Sequence, residues 1–203
     1  MSLTLAKDDD FDLHNFLVRG RNMKKNNILI VIDMQVDFTT GTLKNNDAVN
    51  IIPNIVNEIE SGKYDAVYFT RDTHDENYLN TSEGKRLPVT HCVKGTEGHE
   101  IVSELRKYAT NENTIDKPTF GYLGWKDVFV TDGQFTTFEQ YSPENITLVG
   151  TCTDICVASN ALIMKAMFPD TNIRVLKNCC AGCNSVVHNA ALATMVQCQV
   201  EVI

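Results

Sequence analysis

The sequence has no apolar run approaching the ~18 residues that a membrane span requires. Its first 27 residues hold no apolar stretch of the kind that opens a secretory leader. Positive charge is also scarce: 18 Lys and Arg against 26 Asp and Glu give a formal net charge of -8. No basic stripe is left to neutralise phosphates, so a nucleic-acid partner is not expected. Internal repeats and low-complexity segments are missing as well. These absences argue against a membrane protein and make the cytoplasm the default location. The seven cysteines are an odd number in 203 residues, and five of them (Cys152, Cys156, Cys179, Cys180, Cys183) crowd the last third. Disulfide frameworks belong to small secreted chains, so these thiols are expected to be reduced.

What is present from Asn27 onward is an alternation of short apolar runs and helical patterns. The runs are 28–33 (ILIVID), 66–72 (AVYFTRD), 114–117 (TIDK), 146–150 (ITLVG), 173–177 (IRVLK) and 200–203 (VEVI). Most are nearly unbroken and rich in Val and Ile, as strands covered on both faces must be. Helical patterns are expected over 49–61, 98–109, around 133–141, 154–168 and 185–198. In the first of these, Ile51, Ile52, Ile55, Val56 and Ile59 share one face. Alternation repeated this often predicts a parallel sheet with right-handed crossovers. The chain ends on a strand pattern, so the sheet is expected to be complete. Residues 1–26, with the acidic run Asp8-Asp9-Asp10 and a short amphipathic stretch at 12–18, are read as a solvated N-terminal extension; residues 27–203 form one domain.

Ligands of open parallel sheets bind beyond the carboxyl ends of the strands. Asp33 ends the first strand, Asp72 the second and Lys117 the third, and Cys152 to Cys156 follow the fourth. Cys156 lies in GTCTDICV, where Thr153 or Asp154 could cap the next helix. The first turn of a helix favours a thiolate and offers N–H groups to an oxyanion. The plainer reading is a small buried hydrophobe. Asp33 suits a general base for that thiol, or a turn cap. Lys117 suits a stabiliser of both charges, or an exposed strand-end lysine.

A second group is Asp72, His74, Glu83 and His91. Asp-x-His on one extended segment, with a second His returned by a loop, suits one divalent transition metal such as zinc, manganese or iron. His14, His99 and His188 are expected at the surface. Cys180-x-x-Cys183 is a single pair without a partner pair, read as packing around the fifth strand end.

Asp33 in IDMQVDF, Lys117 in KPTFGY and Cys156 in GTCTDICV, in that order and each after a strand, resemble the isochorismatase-like cysteine hydrolase superfamily. The likeness spans about residues 27 to 203. It implies a three-layer α/β/α sandwich with a parallel six-stranded sheet and an Asp–Lys–Cys triad. It further implies a cis peptide at Thr151–Cys152 and an oxyanion hole from the N–H groups of Cys152 and Cys156. Within the superfamily the nicotinamidase branch is most similar, because Asp72, His74 and the His91-Cys92-Val93-Lys94-Gly95-Thr96 segment match its metal motif, with Glu83 where some members add a glutamate. In that branch the metal holds the pyridine nitrogen of nicotinamide and two waters. Many members have Trp where Thr73 stands here, so the aromatic walls are expected from Phe38, Phe120, Tyr122 or Trp125. The resemblance therefore implies a homo-oligomeric cysteine amidohydrolase with a small-molecule amide substrate, most similar to those that turn nicotinamide into nicotinate and ammonia. The alternatives are an amidase for a carbamoyl or ureido compound, and a catalytically silent oligomeric binding protein of the same fold. Cleavage of isochorismate fits less well, since it needs neither a thiol nor metal ligands.

Overall fold

A computed structural model of the chain describes residues 26–130 and 143–203. The stretch 12–18, the acidic run, His14 and the helix expected around 133–141 lie outside the described residues. Six strands form one sheet in the order β3-β2-β1-β4-β5-β6: β1 (Asn27–Ile32), β2 (Ala66–Asp72), β3 (Thr114–Lys117), β4 (Asn145–Thr151), β5 (Asn172–Ala181) and β6 (Glu201–Val202). Every pairing is parallel. The chain builds outward from β1 to β3, returns to the centre and builds the other way from β4. The order therefore reverses between β1 and β4, which opens a crevice at their carboxyl ends.

Alternation along β1 divides the core. Ile28, Ile30 and Ile32 point into one apolar cluster, with α5 (Trp125–Val130), α6 (Ala158–Met167) and α7 (Ser185–Gln197). Leu29 and Val31 point into the other, with α2 (Asn46–Asn50), α3 (Ile52–Ile59) and α4 (Ser103–Arg106). The remaining helix, α1 (Val36–Thr39), leads out of β1. All five of these β1 side chains are fully buried, each contributing about 1.5–3 kcal/mol as an upper estimate. The result is the expected α/β/α sandwich. Among the described residues no helix is long and apolar enough to cross a membrane.

Three expected helices differ in detail. The pattern over 49–61 forms two helices meeting at Ile51, because Pro53 in the first turn of α3 has no N–H to continue the earlier one. Its apolar face survives, with Ile51, Ile52 and Ile55 buried. The stretch 98–109 is split into a 3-10 turn (Glu97–His99) and α4, with Ile101 between them drawn into an antiparallel bridge with Gln35. The helix after β4 opens with a π-type turn, Thr153–Val157, whose N-cap position is taken by Cys152 and not by Thr153 or Asp154.

Gly150 adopts φ +117° where β4 passes β1, and a Cβ there would run into the Ile32 carbonyl oxygen. Backbone strain and that collision add together. Gly150→Ala should lower stability by at least about 2 kcal/mol, seen as a drop of about 4–8 °C in thermal unfolding.

Candidate active site

Asp33 leaves β1 in the left-handed region at φ 47°, which Asp tolerates better than most residues. Its turn is held by Thr70 on β2. The Asp33 N–H donates to Thr70 Oγ1 at 3.2 Å, and the same hydroxyl donates to Asp33 Oδ1 at 2.7 Å. Asp33 Oδ2 lies 2.7 Å from Lys117 Nζ in a fully buried ion pair. Lys117, fully buried, also reaches Asp72 Oδ1 at 3.4 Å, the Thr119 carbonyl at 3.2 Å and Cys156 Sγ at 3.6 Å. One ammonium thus touches Asp33, Asp72 and the thiol. Far from being an exposed strand-end lysine, it sits at the centre of the site.

Cys156 is buried in the π-type turn. The Cys152 carbonyl accepts from the N–H groups of Ile155 and Val157 and passes over that of Cys156. The peptide Thr151–Cys152 is cis, as the resemblance implies. Asn160, fully buried one turn on, ties the Cys156 turn to the loop after β3. Its Nδ2 donates to the carbonyls of Cys156 (2.8 Å) and Phe120 (3.0 Å), and its Oδ1 accepts from the Tyr122 N–H and Trp125 Nε1, each at 3.0 Å.

The electrostatics correct one expectation. Burial, and then the charge of Asp33, push the Cys156 thiol well above its ordinary range, and Lys117 only partly opposes them. The thiol is therefore protonated at rest despite its place at a helix start. Burial likewise raises Asp33, with Lys117 opposing and Asp72 adding to the rise. Burial would raise Asp72 too, but hydrogen bonds with His74 and His91 and the charge of Lys117 hold it well below the carboxylate range.

Beside Lys117, Asp72, His74, Glu83 and His91 bring one ligand atom each to within 4.8 Å of one another. His74 Nε2 lies 3.0 Å from Asp72 Oδ2 and 3.6 Å from Glu83 Oε1. His91 Nε2 lies 3.6 and 4.0 Å from the same two oxygens. His91 Nδ1 donates to the Val89 carbonyl at 2.8 Å, which leaves Nε2 facing the cluster in the tautomer a metal requires. Two imidazole nitrogens and two carboxylates converging on one point are the donor set of a divalent transition metal, so the residues fit one.

A cavity of about 770 Å³ opens over both groups, lined by Asp72, Glu83, His91, Cys152 and Cys156 among others. Of the four aromatic candidates, Phe38 and Phe120 line it. Tyr122 and Trp125 do not: Trp125 is fully buried, spends its indole N–H on Asn160 and meets Tyr122 edge-on in the core. Lys44, Arg86 and Cys183 line the cavity without having been expected there. Cys180 is core, as read, but Cys183 is exposed, because β5 ends at Ala181. His99 is buried and not at the surface, with its ring on the Thr73 hydroxyl at 2.8 Å, whereas His188 is half-buried, its Nδ1 2.9 Å from Thr153 Oγ1. Gln35 carries no sequence signal, yet its side chain bonds both the N–H and the carbonyl of Asp72.

The family model for the isochorismatase domain matches residues 27–203. The chain belongs to that family. Among solved structures it is similar to a nicotinamidase/pyrazinamidase of Bacillus subtilis, at 27% identity over 89% of this chain and 99% of that one, with a TM-score of 0.67. A pyrazinamidase of Pyrococcus horikoshii in complex with zinc is 22% identical over 88% and 98%, with a TM-score of 0.68. A protein of L. infantum in complex with nicotinate is 19% identical over 88% and 92%, with a TM-score of 0.71. No curated protein sequence matches the chain significantly.

Two outcomes follow from the buried charges. Lys117→Ala removes the ammonium shared by the buried Asp33 and Asp72 carboxylates and should cost about 3–5 kcal/mol in denaturant unfolding. Because Cys156 is protonated at rest while Cys183 is exposed and held below its ordinary pKa by its interaction with Cys152, limited iodoacetamide at neutral pH should label Cys183 first. Peptide mapping reads the order.

Proposed function

We propose that the protein is a cysteine amidohydrolase that converts nicotinamide to nicotinate and ammonia. The observation that carries the reading is that one buried ammonium, Lys117, touches both the Asp33–Cys156 pair and the Asp72 carboxylate of the metal-ligand cluster. Both groups face one cavity, so a substrate held at the cluster presents its amide to the thiol.

Asp33 takes the thiol proton as Cys156 Sγ attacks the carboxamide carbon. Lys117 stays charged throughout, since Asp33, Cys156 and Asp72 outweigh the burial that would deprotonate it. The backbone N–H groups of Cys152 and Cys156 receive the oxyanion. Asp33 then returns its proton to the departing ammonia, and water hydrolyses the thioester. Asp72, His74, Glu83 and His91 would hold a divalent ion, which would supply an anchor for the ring nitrogen of the substrate. Phe38 and Phe120 would wall the ring.

A second reading has one observation behind it. Lys44 and Arg86 line the cavity, which favours a carbamoyl amide that also carries a carboxylate.

Loss of one directional contact costs about 1–3 kcal/mol, so nicotinamide should be hydrolysed about 5- to 150-fold faster than benzamide, which lacks the ring nitrogen. His91→Ala should shrink that preference and lower the zinc, manganese or iron found by elemental analysis from one ion per chain. Cys156→Ala should keep the metal and lose turnover. Equal rates on the two amides would reject the nicotinamide reading, and ammonia released only from carboxylate-bearing carbamoyl compounds would support the second.

A further inference from the structure

Two thiols whose side chains the proposed reaction does not use stand side by side at the mouth of its cavity. Cys152 and Cys183 both line it, the first half-buried and the second exposed. Sheet register explains why they meet. β4 and β5 pair Gly150 with Cys180 and Thr151 with Ala181, so the residues that follow leave the sheet edge together. The segment after β5 is then clamped against the turn after β4. Asp154 Oδ1 accepts the Cys183 N–H at 2.8 Å, and Asn45 Nδ2 donates to the Gly182 carbonyl at 2.8 Å. Gly182 permits the approach: a Cβ there would meet Asp154 Oδ1 and His188 Cβ, both at 2.7 Å. On the far side Asn184 Oδ1 caps α7 through the N–H groups of Val186 and Val187. Each thiol shifts the ionisation of the other, so the two interact on this fixed backbone.

They are chemically unequal. The interaction with Cys152 favours the thiolate of Cys183 and lowers its pKa, while burial opposes. The same interaction, with burial, raises Cys152. An exposed, acidified thiol beside a protonated one has the chemistry of an attacking and a resolving cysteine.

We propose that Cys152 and Cys183 are a modification site: a hydroperoxide converts them to a reversible disulfide that closes the mouth of the cavity. The Cys183 thiolate attacks the peroxide O–O bond, giving a sulfenic acid and hydroxide. The Cys152 sulfur then displaces the sulfenic oxygen, which departs as water with the Cys152 proton. The two sulfurs together lose two electrons, and the peroxide gains them. A dithiol reductant reverses the bond by thiol–disulfide exchange. Formation of the bond rests on the placement of the two thiols at one cavity and on their unequal acidity; its effect on turnover rests on the amidase reading above.

The test treats reduced full-length protein with hydrogen peroxide, blocks the remaining thiols and digests without reductant. An Asp-specific protease separates Cys152 from Cys156 at Asp154, and fragment spectra distinguish Cys183 from Cys179 and Cys180. A Cys152–Cys183 peptide pair is expected in the wild type and equally in Cys156→Ser, absent from Cys183→Ser and removed by dithiothreitol. In the wild type its appearance should track a loss of ammonia release that dithiothreitol restores. Cys183 oxidised to sulfinic acid without a cross-link, or a cross-link that includes Cys156, would overturn the site. A complete cross-link with undiminished turnover would overturn the closure. If the cross-link forms in a protein that releases ammonia from no amide, the function reading fails and the modification site stands.

Discussion

Lys117 holds a positive charge where water does not reach, and the rest of the site is arranged around keeping it there. An isolated ammonium in that place would lose its proton. Here burial does push its pKa down, but the charges of Asp33, Cys156 and Asp72 outweigh it and hold the group well above its ordinary value. The three partners come from three different strand ends. Their meeting depends on the parallel sheet, and in particular on the reversal of strand order between β1 and β4 that leaves Asp33 and the Cys156 turn facing one crevice.

A buried charge cluster also needs its surroundings to be polar in the right directions. Thr70 bonds Asp33 twice. Gln35 bonds Asp72 twice and the carbonyl of His99 once. Asn160 uses donors and acceptor alike to join the Cys156 carbonyl to the 120–125 loop. All three side chains are fully buried. Gln35 and Asn160 bond no charged side chain, while Thr70 occupies Asp33 Oδ1 and leaves Oδ2 to Lys117.

These supporting residues show where sequence reading stops. Strand runs such as ILIVID and ITLVG announce a parallel sheet because both faces are covered, and strand-end chemistry is local, so Asp33, Lys117 and the Asp72-x-His74 pair could be read directly. Gln35, Thr70 and Asn160 could not, since a buried amide or hydroxyl is indistinguishable in sequence from an exposed one. Trp125 was misplaced for a related reason: aromatic character does not say whether the indole N–H finds its partner in the core or in a pocket. The thiol was misjudged because the helix-start argument is local. The burial and carboxylate charge that raise Cys156 come from elements far away in sequence.

That misjudgement changes how the nucleophile must work under the proposed reaction. A thiol with a lowered pKa would carry its charge at rest, close to two carboxylates in a buried site, and would repel them. A protonated thiol beside an ionised Asp33 avoids this. When the proton crosses, the negative charge moves from a carboxylate oxygen 2.7 Å from the ammonium to a sulfur 3.6 Å from it, and the net charge of the cluster does not change. In a site of low dielectric the costly event is adding or removing net charge, whereas relocating it around a fixed counter-ion costs little. The raised Asp33 narrows the remaining gap, because a carboxylate whose burial favours the neutral form is a better proton acceptor. Burial, which taken alone would silence the cysteine, raises donor and acceptor together and leaves Lys117 to stabilise whichever of the two carries the charge.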